Sequence, residues 1–258
     1  MSGDVLTNDL RDRRTPTLVI SAALAVLAAF AISIGAGMGD ALNEMTEAFP
    51  EALNTFIGAD APGGYVVNEV FELIAPFALI AFVVTAGASV IAGEEQRKTM
   101  SMLIAQPLTR TSVLTSKVVS VLITLAFAIL VFWAAIAISV SLVEIELGIG
   151  DVAAASIHLF FLAAFFGAVA LAVGAATGRP EVALAVGGGL AVLSWLSKSM
   201  LELADLDGWA QVSPWYYYSG ANPLSEGIDY THLLVLAGLT VIAMVVAYRT
   251  FRTRDLKG

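Results

Sequence analysis

Cysteine is absent from the 258 residues, and only 14% of them carry a charge. Without thiols the chain forms no disulfides, no thiolate metal site and no cysteine nucleophile, so its redox compartment is left open. The charge deficit excludes an ordinary water-exposed globule, in which about a quarter of residues would be charged. Also missing is the Gly-x-x-x-x-Gly-Lys-Ser/Thr phosphate loop, so the chain is not expected to hydrolyse a nucleotide by itself.

What replaces charge is hydrocarbon: 58% of residues are hydrophobic and the mean hydropathy is +0.84. Uncharged runs cover Thr15–Gly39, Leu73–Gly93, Val118–Val143, Val152–Gly178, Val182–Ser197 and Tyr230–Tyr248. About 20 helical residues cross a hydrocarbon layer of about 30 Å, and five of the runs reach or approach that length. The fifth run is short and extends if Glu181 sits at one interface and Lys198 snorkels to the other. The first run exceeds the core of a signal peptide and is expected to remain as a helix. The expectation is an all-α integral membrane protein, residues 1–258 forming a single transmembrane domain with six spans near 17–38, 70–93, 114–142, 153–177, 181–199 and 232–250.

With both ends placed in the cytoplasm, twelve of the thirteen basic residues fall on that side and only Lys198 falls outside. This is the asymmetry that positive-inside insertion produces. The acids run the other way: most of those placed outside lie in segments 39–69 and 198–231, with Glu72, Glu144, Glu146 and Asp151 beside them, so the net charge of −9 is the sum of an acidic outer side and a basic inner one. Localisation is therefore expected in the cell membrane, multi-pass, with cytoplasmic termini and lipid as the surroundings; nucleic acid is not an expected partner.

Inside the spans, Pro76 removes a backbone hydrogen bond from the second, which either serves a conformational step or is simply tolerated in a bundle. Gly174 and Gly178 share a helix face and suit close helix packing. His158 sits about two turns into the fourth span, and two readings stand for it, a polar contact between helices and a substrate contact. No constellation at the membrane centre resembles an ion relay, and no metal site is expected.

The polar stretch between the second and third spans is the informative one. It runs Gly93-Glu94-Glu95-Gln96-Arg97-Lys98-Thr99-Met100-Ser101-Met102-Leu103-Ile104-Ala105-Gln106-Pro107-Leu108-Thr109-Arg110. Met100, Leu103 and Ile104 make an apolar strip at helical spacing, and Pro107 should end that helix. Glu94 and Lys98 are spaced to pair at i,i+4, while Thr111 or Ser112 is placed to cap the third span. Such a segment is either an interfacial connector or a docking surface that transmits force between spans.

Here the chain resembles the permeases of the ABC-2 family, the six-span membrane subunits of ATP-driven transporters. The resemblance rests on Ala92-Gly93-Glu94-Glu95 followed by Lys98-Thr99, Leu103, Pro107 and Arg110, with Lys117 at the base of the third span. Lys98 departs from the glycine that many relatives carry before the threonine, which touches the turn geometry. Similar branches include multidrug and antimicrobial exporter permeases and the maturation permease of nitrous oxide reductase. The resemblance implies a type V exporter-like fold, a second permease subunit in a homodimer or a heterodimer, and two ABC ATPase subunits that carry the ATP and Mg. Segment 94–112 would then be the coupling segment. Glu94 and Glu95 would engage basic groups on the ATPase, with Arg97, Lys98, Thr99, Leu103, Pro107 and Arg110 completing the contact.

On the outer side, Trp209, Trp215, Tyr216 and Tyr217 are aromatic residues of the kind that anchor at membrane interfaces. A substrate collar or a contact with an extracytoplasmic partner is the other reading. The function expected is export of a solute driven by ATP hydrolysis on a separate subunit, so the chain is not an enzyme alone. The alternative is a mechanical or assembly subunit passing ATPase motion to an extracytoplasmic partner.

Overall fold

The computed structural model describes residues 3–47, 64–96, 109–143, 147–204 and 206–254. All the regular structure among them is helical. Helix α1 is Gly3–Glu47, and α2 runs unbroken over 64–96. Then come α3 (Arg110–Leu142), α4 (Ile149–Thr177) and α5 (Pro180–Leu203). Three one-turn helices follow, α6 (Asp207–Ala210), α7 (Tyr216–Ser219) and α8 (Pro223–Glu226), before α9 (Tyr230–Thr253) closes the chain. Six of these helices are long and apolar enough to cross a membrane, the architecture expected of an all-α integral membrane protein.

Their order of packing follows from side-chain size. Helix α4 is the axis: it contacts α2, α3, α5 and α9, and 72% of its most apolar stretch is buried, against 22% in α5 and 17% in α9. Lipid tails are as apolar as leucine, so helices in a bilayer associate through close van der Waals packing, which small residues permit. At the α2–α4 crossing a Cβ on Gly87 would lie 2.4 Å from the Gly167 carbonyl oxygen, so the two backbones touch there. Helix α1 lies on the far side and packs chiefly against α3. The open faces of α5 and α9, including Leu193, Leu234, Val241 and Ile242, are apolar and exposed.

Helix α2 changes its winding twice. Residues Val70–Ile74 and Ser89–Gly93 are π-helical, flanking the α-helical stretch Ala75–Ala88. The first change has a visible cause in Pro76. The Ala75 N–H bonds to the Val70 carbonyl, so the next carbonyl, Phe71, would need the N–H of residue 76, which proline lacks. The Tyr218 hydroxyl donates to that carbonyl at 2.6 Å instead. Pro76 is thus accommodated by a π-turn and a buried tyrosine from another part of the chain.

Candidate functional site

The helices alternate in direction, so the start of α1, the end of α2, the start of α3, the turn from α4 to α5 and the end of α9 meet at one end of the bundle. The sequence places most of its basic residues there. Glu94 and Glu95 follow directly on the second π-helical stretch of α2. Consecutive helical residues project about 100° apart, so the pair reaches two different neighbours.

Glu94 Oε1 lies 2.7 Å from Lys117 Nζ on α3. The same ammonium is 3.4 Å from Asp9 Oδ1 on α1, and Asp9 Oδ2 accepts from Arg13 Nε at 2.6 Å. Lys117 and Asp9 are both buried, so the chain Arg13–Asp9–Lys117–Glu94 ties three helices through a buried central pair flanked by two partly exposed groups. Glu95 points the other way and forms a salt bridge with Arg254, just past the end of α9. Its side chain is 4% exposed. Gly178 makes room for this pair: a Cβ there would lie 2.5 Å from Glu95 Oε2 and 2.3 Å from Arg254 Nη1. Its φ of +66 ends α4 in the left-handed conformation, and its N–H bonds to the Gly174 carbonyl at 2.8 Å. Gly174 itself faces Ala88, Ala92 and Ala183 at ordinary contact distance. Gln96 donates to Glu181 at 2.9 Å, linking α2 to α5.

Glu94 and Glu95 bond within the chain, because α2 continues as helix through Gln96 and carries both carboxylates against the bundle. The expected partner Lys98 lies outside the described residues, as do Arg97, Thr99, Leu103 and Pro107. The cap of α3 falls at Thr109, earlier than either Thr111 or Ser112. Thr109 has extended backbone, and its hydroxyl accepts from the Ser112 N–H at 3.2 Å, while Thr111 and Ser112 are already helical. Arg110 is exposed and donates to the Arg254 carbonyl at 3.4 Å. Together with Thr109, Thr111 and Arg252 it lines an open cleft of about 450 Å³ between the start of α3 and the end of α9.

Two residues of this network escaped the sequence reading. Asp9 was detectable, since Asp9 and Arg13 stand at i,i+4 in a helical run. Arg254 had no such signal, lying 159 positions from Glu95.

The opposite end is fastened differently. His158 is fully buried; its Nε2 accepts from the Asp229 N–H at 3.3 Å, and its Nδ1 lies 3.3 Å from the Tyr217 carbonyl. A neutral imidazole protonated on Nδ1 satisfies both contacts. His158 thereby pins the segment between α5 and α9 onto α4. Trp215, expected at the interface, is instead fully buried, its ring tilted against Phe77 at 5.0 Å and edge-on to Tyr218 at 6.2 Å. Its backbone N–H is held by Ser194 and Ser213, which draws the residue into the core. Tyr216 and Tyr217 are half-buried and flank His232, while Trp209 is 67% exposed. Lys198 contacts Glu202 at 3.0 Å and Glu72 at 3.9 Å.

Outside the spans, burial pushes the Tyr218 phenol well above its ordinary value. The backbone N–H of His232 is the main cause that holds the Asp229 carboxyl below its own. Among the described residues no group of three His, Asp or Glu side chains is placed to hold a metal ion.

No curated protein matches the chain at a significant level. A family model described as ABC-2 family transporter protein matches residues 5–256, nearly the whole length and all six long helices. The chain therefore belongs to the ABC-2 transporter family, as a multi-pass membrane permease.

Proposed function

We propose that this chain is the membrane subunit of an ATP-driven exporter, working as a homodimer with two ABC ATPase subunits that hold ATP and Mg. The basic end of the bundle faces the cytoplasm and receives the ATPases; the acidic end faces outward. The observation that carries this reading is the fastening around residues 97–108. The helix entering that segment is tied to α1 and α3 through Glu94, to α9 through Glu95 and to α5 through Gln96. The helix leaving it begins at Arg110, bonded to the end of α9. A push on such a segment reaches several spans at once, which is how a rigid element couples two sites.

In this reading Glu94 and Glu95 are the anchors of the coupling segment. Arg97, Lys98 and Thr99 set its register, Leu103 fills a groove on the ATPase, and Pro107 fixes the exit into α3. Pro76, Gly174 and Gly178 serve packing and winding within the spans. Trp209 anchors the outer segment in the lipid interface, with Tyr216 and Tyr217 beside it. His158 is a structural contact between α4 and that segment.

The test is co-purification followed by transport in proteoliposomes. An ATPase subunit should accompany the chain through gentle extraction, and Leu103→Ala should lower both its recovery and ATP-dependent transport while membrane insertion stays normal. Transport without ATP, or labelling that finds Gln106 on the outer surface, would overturn the reading.

A further inference from the structure

We propose that the surface this permease offers its ATPase is basic, centred on Arg110 and Arg252, and that the ATPase meets it with carboxylates. The inference rests on the reading of the chain as an ATPase-driven permease and assigns the sign of the contact that reading requires.

Glu95 is 4% exposed and bonded to Arg254, and Glu94 is bonded to Lys117. For Glu95 to meet a partner's cation it would have to leave Arg254, the cation it is buried against; Glu94 would leave Lys117, which keeps Asp9 at 3.4 Å. A buried carboxylate deprived of its counter-charge is strongly unfavourable, so Glu95, the more deeply buried of the two, is committed to the permease. Glu181, the acid at the start of α5, accepts from Gln96.

The arginines beside them are in the opposite condition. Arg110 and Arg252 are both exposed, and among the described residues neither has a carboxylate within ion-pair distance. They line one open cleft of about 450 Å³, joined by Thr109 and Thr111, whose hydroxyls lie 3.2 Å apart. The cleft begins one residue after the segment 97–108, so it continues the surface on which the ATPase is proposed to sit. Guanidinium groups present a planar fork of donors that matches carboxylate geometry, and they stay charged at every physiological pH. Charge complementarity and continuity with the coupling segment together select an acidic patch of the ATPase as occupant.

The experiment compares charge reversals in the full complex, extracted gently from membranes that contain its ATPase subunit. Arg110→Glu combined with Arg252→Glu should reduce recovered ATPase about tenfold, a factor that corresponds to about 1.4 kcal/mol of binding. Arg14→Glu makes the same kind of charge change on an exposed part of α1 and should leave recovery within about twofold. High salt should weaken the wild-type complex towards the double variant, because exposed charges are screened. Monodisperse elution and an unchanged melting temperature would show that the double variant is folded. If the folded double variant recovers ATPase as the wild type does, the inference is overturned. It is equally overturned if the only effect is lost binding to phosphatidylglycerol vesicles, since the cleft would then serve anionic lipid headgroups. If the wild-type chain yields no ATPase at all, the proposed function itself falls and this inference falls with it.

Discussion

Lys117 and Tyr218 hold corresponding positions at opposite ends of the bundle, each buried and each bridging separate parts of the chain, yet one does so with a charge and the other with a neutral hydroxyl. Around Lys117 the fastening is ionic: Asp9, Arg13 and Glu94 share one network, and Glu95 with Arg254 forms a second. Around Tyr218 it is a set of neutral hydrogen bonds and ring contacts, with His158, Ser194, Ser213 and Trp215 contributing. Lys198 brings charge to that end too, but its short contact is to Glu202 within its own helix, and Glu72 is 3.9 Å away. The difference teaches where each end can yield. An ionic fastening resists strongly while both partners remain, and it fails when either partner is removed, because the other charge is left uncompensated. A neutral fastening is indifferent to salt and fails only when its geometry is lost.

The largest expected effect sharpens this contrast at the ionic end. Lys117→Met removes the cation shared by Asp9 and Glu94, and breaking such a buried pair should cost about 3–5 kcal/mol. Denaturant unfolding in detergent micelles measures it, and a loss under about 1 kcal/mol would mean that the network is solvated like a surface ion pair.

A smaller effect is expected at the neutral end. Tyr218→Phe leaves the Phe71 carbonyl buried without a donor, a loss of about 1–3 kcal/mol that should not change with salt. Because burial raises the folded phenol above 10.0, the hydroxyl's contribution is complete below that value. It is lost as pH rises through the higher folded value. A tyrosine contribution that declined between pH 6 and pH 8, roughly the neutral range in which the ordinary phenol stays protonated, would contradict the assignment.

The smallest concerns the cap of α9. Asp229 accepts from the N–H groups of Thr231 and His232 at 2.7 and 3.0 Å, so Asp229→Ala should cost about 1 kcal/mol. Its carboxyl lies below 3.8 in the folded chain, so the cap's contribution is present above that value and fades as pH falls through the lower folded one. The difference in stability between wild type and variant, followed down in pH, checks both sign and size.

The charged pattern at the basic end was legible in part. Glu94, Glu95, Arg110 and Lys117 lie close enough along the chain for their spacing to mark a polar element between two apolar runs. The direction in which the acids point was not legible. It depends on α2 continuing as helix through Gln96 and on a π-helical stretch just before them, neither of which leaves a periodic signal in 33 described helical residues of mixed winding. The tryptophans show the same limit. Trp209 and Trp215 are alike in sequence terms, six residues apart in one aromatic-rich segment, but two serines hold Trp215 inward while Trp209 stays in the open.

Length and polarity of the uncharged runs determined by themselves that this chain crosses a membrane as helices, because a bilayer admits few other ways to satisfy backbone hydrogen bonds. The clustering of lysine and arginine likewise marked one end of the bundle as basic. Only the tertiary structure decided which charges that end keeps for itself and which it presents. Ion pairs such as Glu95 with Arg254 join residues 159 positions apart, and a distance of that kind exists only once the helices have packed. The physical reason is that hydrophobic length is a property of each segment alone, whereas the partner of a buried charge is a property of the whole bundle.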